Sequence, residues 1–157
     1  MVEIKELHGI EAITDALKSI GDSLFDQTVN RPEVLQALGK KYAEKAKVIT
    51  ISSDSELVGL CAYYDNVPQS AFISMLVINS RYQKCGHGTK LLHEVIQRCR
   101  EKKIPFLRLE VAEDNRKAME LYIQNGFRFL YEIQGRITLQ LELSCLQSKE
   151  GGNDDRN

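Results

Sequence analysis

The segment Gln83-Lys84-Cys85-Gly86-His87-Gly88 carries the clearest chemical pattern in the chain. Two glycines stand two residues apart, between an apolar run and an amphipathic stretch. The run reads as a strand and the stretch as a helix. Glycine has no Cβ, so backbone N–H groups at such a turn can converge on an anion. The helix start adds unpaired donors and the positive end of its dipole. A diphosphate is the natural guest. Other phosphate loops fit less well. A Walker loop needs Gly-Lys-Ser/Thr after a four-residue spacer, which is absent. A dinucleotide fingerprint needs a third glycine where Leu91 stands. Read alone, Gly-x-Gly suits a plain strand–helix turn equally well.

The other chemistry-bearing residues are scattered. Cysteines stand at 61, 85, 99 and 145, with no close pair of the kind that binds zinc. Reduced, structural thiols are expected and no metal site. Cys85 falls in the loop as a spacer rather than a nucleophile. In Phe106 to Val111, Leu107, Leu109 and Val111 take one face, which puts Arg108 and Glu110 on the other. A carboxylate on an interior strand requires a partner or a hydrated cleft. Glu110 therefore reads either as a base or as the partner of Arg108 or another nearby cation. Tyr122 lies on the apolar side of a predicted helix, where tyrosines usually pack in a core. Asn115 stands where it or Asp114 could cap that helix.

The elements that must position these residues follow from periodicity. Val2 to Leu7 alternates as a strand. Ile10, Ile13, Leu17 and Ile20 repeat at helical spacing. Pro32 opens a second helix with Val34, Leu35, Leu38 and Tyr42 as its buried stripe. Gly21 to Arg31, between these helices, reads as an irregular polar loop. Val48 to Ser52, Leu57 to Tyr64 and Phe72 to Ile78 are predicted strands. The last two are near-continuous apolar runs, which implies burial on both faces. A helix is predicted from about Gly88 to Lys102, burying Leu91, Leu92, Val95, Ile96 and Cys99. Phe106 to Val111 is a strand and Asn115 to Asn125 a helix carrying Ala118, Leu121 and Tyr122 on one side. Gly126 stands as its C-terminal cap. Phe127 to Ile133 and Ile137 to Leu143 alternate strictly around a tight Gln134-Gly135 turn. The fold class is α/β, a mixed sheet with helices on both faces. One domain over residues 1–147 is expected, with a disordered polar tail over 148–157.

The chain has 157 residues, 43% hydrophobic and 27% charged, with formal net charge −1. Those values suit one soluble domain and offer no general electrostatic attraction to nucleic acid or membrane. No apolar run reaches the length of a spanning helix. The start of the chain lacks the basic-then-apolar layout of a secretory signal, and a cytoplasmic protein is expected.

Two segments together resemble one known family. Gln83-Lys84-Cys85-Gly86-His87-Gly88 is similar to the Gln/Arg-x-x-Gly-x-Gly/Ala hallmark of the GCN5-related N-acetyltransferases (GNAT). Asn115, Ala118, Leu121-Tyr122 and Gly126-Phe127 resemble the family's second segment in order and spacing. The resemblance spans roughly Leu57 to Ile133. It implies a mostly antiparallel seven-stranded sheet flanked by about four helices, and acetyl-CoA as acyl donor. It implies that Leu76, Val77 and Ile78 bind the pantetheine arm through backbone groups. Gln83, Lys84, Cys85, Gly86, His87, Gly88 and Thr89 would hold the pyrophosphate. Asn115 would contact the pantetheine, and Tyr122 would protonate the leaving thiolate.

Transfer to an amine needs a free amine, direct attack, and stabilisation of a tetrahedral oxyanion, for which a backbone N–H at 76–78 is suited. Some relatives carry a glutamate on the strand before the loop; Phe72 to Ile78 has no carboxylate. Glu110 is the best substitute, at a position where the ribosomal-protein N-terminal acetyltransferases of the family carry a base. His87 is a weaker candidate, and a water chain is a further one. The expected acceptor is a primary amine of a small molecule, such as an amine or amino sugar. The alternatives are a protein N-terminal or lysine acetyltransferase and a non-catalytic acyl-CoA-binding module. Gly21 to Arg31, Asp65 to Ser70 and the strand ends are expected to shape the acceptor pocket, with Tyr63, Tyr64 and Asp65 either lining it or packing. A homodimer through an alternating last strand at a sheet edge is a further expectation, although Gln140 and Glu142 equally suit a solvated face.

Overall fold

The computed structural model describes residues 1–143, so the predicted tail and Cys145 lie outside the described residues. The strands are β1 (Val2–Leu7), β2 (Lys47–Ser53), β3 (Glu56–Tyr64), β4 (Ala71–Ile78), β5 (Phe106–Ala112), β6 (Arg128–Ile133) and β7 (Arg136–Glu142). The helices are α1 (Ile10–Ile20), α2 (Pro32–Lys45), α3 (His87–Glu101) and α4 (Arg116–Gln124). The strands form one seven-stranded sheet in the order β1-β2-β3-β4-β5-β7-β6. Pairing is antiparallel for β1–β2, β2–β3, β5–β7 and β6–β7, and parallel for β4–β5. The parallel pair is joined through α3, the crossover that parallel neighbours require.

The chain divides into two compact units, residues 1–64 with 74–93, and residues 65–73 with 94 onward. In the first unit α1 and α2 share a core with the sheet. Ile13, Leu17, Ile20, Leu35 and Tyr42 from the helices meet Val48, Leu60, Ala62 and Val77 from β2, β3 and β4. Consecutive residues of β3 from Val58 to Tyr63 are buried, so both faces of this strand are covered, as its unbroken apolar run predicts. The helices approach closely at Gly39, where a Cβ would stand 2.0 Å from Thr14 Oγ1. In the second unit β5 buries Leu107, Leu109 and Val111 and β7 buries Leu139 and Leu141, each on one side of a pleat.

Tyr42 is buried at this core, and its hydroxyl lies 2.8 Å from Ser74 Oγ. Burial pushes its phenol from 10 up to about 12. Below pH 10 the phenol is neutral in both folded and unfolded chains. Between pH 10 and about 12 the unfolded phenol ionises first, the unfolded state holds fewer protons, and stability falls as pH rises. The loss is of the order of 2 kcal/mol. Urea unfolding at about pH 9 and 11.5 should show a smaller alkaline loss in Tyr42→Phe than in the wild type. An equal loss would assign the pH dependence to other groups.

Several expectations change. The helix predicted from Gly88 to Lys102 runs from His87 to Glu101, which brings His87 into its first turn. β4 is not buried on both faces: Phe72 and Ser74 are exposed while Ala71, Ile73 and Val77 are buried. Its apolar composition does not distinguish a covered face from an open one. Val34 and Leu38 of α2, and Ala118 and Leu121 of α4, are only half-buried. The last strand is not at the edge. β7 lies between β5 and β6, and β6 is the edge strand, exposed along its whole length. Both strands of the hairpin alternate, so periodicity alone could not say which docks on β5.

Candidate active site

In the first unit, the loop from Gln83 to Gly88 turns through two residues of left-handed backbone. Lys84 and Gly86 both take positive φ, 69° and 83°. A Cβ built at Gly86 would meet nothing within 4 Å, so the space in front of the loop is open. The first helical bond of α3 runs from the Lys90 N–H to the Gly86 carbonyl, 3.1 Å. The N–H groups of His87, Gly88 and Thr89 therefore head a 15-residue helix without intrahelical acceptors. Lys84 and Cys85 are exposed. The loop thus combines open space before Gly86, N–H groups without intrahelical acceptors at the start of a helix, and an exposed lysine.

The loop is braced from both sides. Asn79 caps the short turn Ser80–Tyr82 by accepting from the Arg81 N–H, and its own N–H donates to the Val58 carbonyl at 2.7 Å. The Gln83 amide donates to the Ile78 carbonyl, 3.3 Å. The Tyr82 hydroxyl donates to Glu56 Oε1 at 2.5 Å, and Arg81 pairs with Glu56 at 3.2 Å. The hydrogen bond to Glu56 holds the Tyr82 phenol above its usual range. The Tyr82 ring meets His87 edge-on at 6.3 Å. His87 Nδ1 is buried without a hydrogen-bond partner among the described residues. Sequence reading missed Glu56 and Tyr82 in this brace, because they stand 26 residues apart. Gly59 on β3 backs the end of β4: a Cβ there would lie 2.5 Å from Ile78 Cδ1 and 3.1 Å from the Val77 carbonyl.

Leu76, Val77 and Ile78 lie at the end of β4. The ladder between β4 and β5 takes only Ala71, Ile73 and the residue between them. The loop at Gly21 to Arg31 is more ordered than its polar sequence suggests. It forms two short 3₁₀ turns, Gly21–Ser23 and Gln27–Val29. Gln27 donates to the carbonyls of Gly21 and Leu24, and Asn30 to Asp22 and Gln27. Tyr63 is buried, which makes it a packing residue. Tyr64 is half-buried and meets Tyr42 edge-on at 6.3 Å.

In the second unit, α4 sets Asn115 and Tyr122. The Asn115 side chain accepts from the Ala118 N–H at 3.3 Å, so Asn115 is the helix cap. Gly126, at φ 96°, closes the other end, and the Phe127 N–H returns to the Tyr122 carbonyl at 3.1 Å. That reversal brings the Phe127 ring edge-on against Tyr122, 5.5 Å between centroids. Tyr122 itself is buried. Asp65 pairs with Lys102 at 3.1 Å.

Glu110 does not pair with Arg108. Arg108 donates to Gln140 at 2.6 Å, whereas Glu110 lies 3.6 Å from Arg136 of β7. The register explains this: β5 and β7 place Arg108 opposite Gln140 and Glu110 opposite Thr138, two residues from Arg136. Glu110 is exposed, so water supplies the hydration its interior strand position demands. Of the cysteines among the described residues, Cys61 and Cys99 are buried and Cys85 is exposed, and none of the three is in a disulfide. Among the described residues, no cluster of three or more His, Cys, Asp or Glu could hold a metal ion, and no helix is long and apolar enough to cross a membrane.

A mixed seven-stranded sheet with a glycine turn leading into α3 defines an α/β protein with an anion-suited helix start. Residues 14–127 match the family model described as the acetyltransferase (GNAT) family. The chain belongs to that family. It is 31% identical over 78 residues to the uncharacterized protein YxbD of Bacillus subtilis, a match spanning 50% of this chain and 47% of that relative. Among solved structures it resembles the ribosomal-protein-S18-alanine N-acetyltransferase of Escherichia coli, with TM-score 0.76, 19% identity, and coverage of 91% of this chain and 94% of that one. The PaiA N-acetyltransferase of Thermoplasma acidophilum, solved in complex with coenzyme A, also has TM-score 0.76, with 18% identity and coverage of 90% and 99%. A GNAT family acetyltransferase of Elizabethkingia anophelis with acetyl-CoA bound has TM-score 0.70, with 18% identity and coverage of 90% and 98%.

Proposed function

We propose that this chain transfers the acetyl group of acetyl-CoA to a primary amine of a small molecule. The observation that carries the donor assignment is the loop Gln83 to Thr89: positive φ at Lys84 and Gly86, open space before them, and the start of α3. Acetyl-CoA supplies an activated thioester. Backbone N–H groups of this loop hold its pyrophosphate, with Lys84 adding charge. Backbone groups of Leu76, Val77 and Ile78, beyond the short ladder with β5, hold the pantetheine arm. Asn115 contacts that arm with the part of its side chain that does not cap α4. Tyr122 returns a proton to the thiolate.

Glu110 takes the proton of the attacking amine, either directly or through water, and Arg136 stands 3.6 Å from it. The small-molecule reading rests on the hairpin of β6 and β7. Gln134 and Gly135, with φ of 50° and 79°, make a two-residue turn, shorter than the connection with which peptide-acting relatives often flank a peptide, and this favours a small acceptor. A second reading, a peptide or protein N-terminal amine, draws on the same Glu110 position and the likeness to the S18-alanine enzyme.

The test mixes the protein with acetyl-CoA and a panel of diamines, amino sugars, and peptides with free terminal or lysine amines, and follows release of free thiol. Turnover with small amines is expected. Turnover confined to peptides would replace this acceptor class by the second reading. Coenzyme binding without turnover would reduce the protein to a binding module. Glu110→Gln is expected to lower kcat and shift the pH–rate profile; an unchanged profile would remove Glu110 as the base.

A further inference from the structure

Arg108, Gln140 and Arg128 form one row across three strands of the second unit. Gln140 of β7 stands opposite Arg108 of β5 on one side and opposite Arg128 of β6 on the other. Residues directly opposite one another in antiparallel strands share a face of the sheet. The next row on that face sets Thr138 between Glu110 and Tyr131, the bulge between Phe129 and Tyr131 taking up the odd residue of β6. Leu107, Leu109, Leu139 and Leu141 are buried on the other side of the pleat. Two arginines and the candidate base therefore stand on the same side of this sheet, one row apart.

Neither arginine has an anion of its own. Among the described residues Arg108 has Gln140 as its only polar partner, through Nε at 2.6 Å, and Arg128 has none. Gln140 offers an oxygen dipole and no charge, and it leaves the Nη donors of Arg108 unused. Arg108 is half-buried. A guanidinium partly withdrawn from water without a carboxylate carries a desolvation cost that nothing in the row offsets. Arg136 differs, because Glu110 lies 3.6 Å from it. Glu142, the other carboxylate of this face, stands opposite Phe106, on the far side of Arg108 from Glu110, and makes no ion pair among the described residues. Two strand spacings, about 10 Å, separate the backbones of Arg108 and Arg128, a gap that two arginine side chains close from either side above Gln140.

We propose that Arg108 and Arg128 bind an oxyanion of the acceptor, so that the acceptor is a small amine carrying a carboxylate or phosphate. This rests on the acetyl-transfer reading above, in which Glu110 receives the proton of the amine. The planar guanidinium fork matches both kinds of oxyanion. Alternate residues of a strand lie about 6.7 Å apart, so the anion binds about one such step from the amine. That separation suits a short ω-amino acid or an amino-sugar phosphate. A diamine of the same length would bring a second cation against the arginines, which disfavours it.

Acceptors of one length that differ only at the far end test the proposal: γ-aminobutyrate, its amide and putrescine. Glucosamine and its phosphate ester test the phosphate source. Thiol release at saturating acetyl-CoA gives kcat/KM for each, and calorimetry gives their binding to the protein loaded with coenzyme A. The carboxylate, the phosphate ester or both should exceed the uncharged counterpart by at least about tenfold, with putrescine the poorest. Whichever pair shows the preference identifies the anion. Arg128→Gln, on an exposed side chain, and Arg108→Gln should each reduce that preference by at least about tenfold, and Arg128→Lys should restore part of it. A merely structural role would lower activity on all acceptors alike. Equal kcat/KM for charged and uncharged acceptors, or a preference intact in both Gln variants, overturns the anion site and leaves acetyl transfer standing. No turnover of any amine, with anion-dependent binding that Arg128→Gln abolishes, overturns acetyl transfer and supports the anion site. Neither turnover nor anion-dependent binding overturns both.

Discussion

Tyr122→Phe should lower kcat by about a hundredfold while leaving the KM for acetyl-CoA within about twofold of the wild type, as expected when a general acid is lost. The substitution keeps the ring and therefore its edge-on contact with Phe127. It removes one hydroxyl from a side chain only 6% exposed. Loss of a single buried hydrogen bond costs about 1 kcal/mol of stability, too little to unfold an ordinary domain. A tyrosine that served only packing would show that modest stability loss with kcat unchanged. Steady-state kinetics and thermal unfolding of the same preparation separate the two, and an unchanged kcat would withdraw Tyr122 from the reaction.

Gly86→Val should act on the opposite parameter. Gly86 holds φ at 83°, where a β-branched residue is strained, so the loop would change conformation rather than accept it. The space around its Cβ is open, so no core contact is lost and the melting temperature should move by only a few degrees. The donors facing the pyrophosphate would no longer converge. Each hydrogen bond to a charged group contributes about 1.5–3 kcal/mol, so losing one raises the KM for acetyl-CoA by about ten- to a hundredfold. At saturating coenzyme kcat should stay near the wild-type value, because Tyr122 and Glu110 are untouched. Titration calorimetry with coenzyme A reads the same loss directly. Unaltered affinity would mean that the loop is a turn and nothing more.

The two variants probe residues that were legible in different ways. Gly86 was readable from local chemistry as a turn residue at a strand–helix junction, and it takes a positive φ of 83° just before α3. Tyr122 was not. Its place on an apolar helix face is what any core tyrosine shows, and only its joint spacing with Asn115 and Gly126-Phe127 singled it out. The structure adds that Asn115 and Gly126 close the two ends of α4, which accounts for their spacing without any ligand.

Glu110 shows where local reading stops. Alternation along β5 correctly turned its side chain away from Leu107, Leu109 and Val111. Its partner, however, comes from β7, and the choice of Arg136 over Arg108 depends on a strand register that only the assembled sheet sets.

By itself the sequence determined the seven strands and four helices, the turn residues between them and the glycine turn that leads into α3. Each rests on short-range causes: side-chain period, proline and glycine backbone limits, and capping. The tertiary structure alone decided that β7 inserts beside β5 and leaves β6 at the edge, because both strands of that hairpin carry the same alternating pattern. It alone brought Glu56 to Tyr82 behind the loop, a contact with no periodic signature. It also alone exposed β6 along its whole length, since burial is a property of what packs on a strand and not of the strand's own residues.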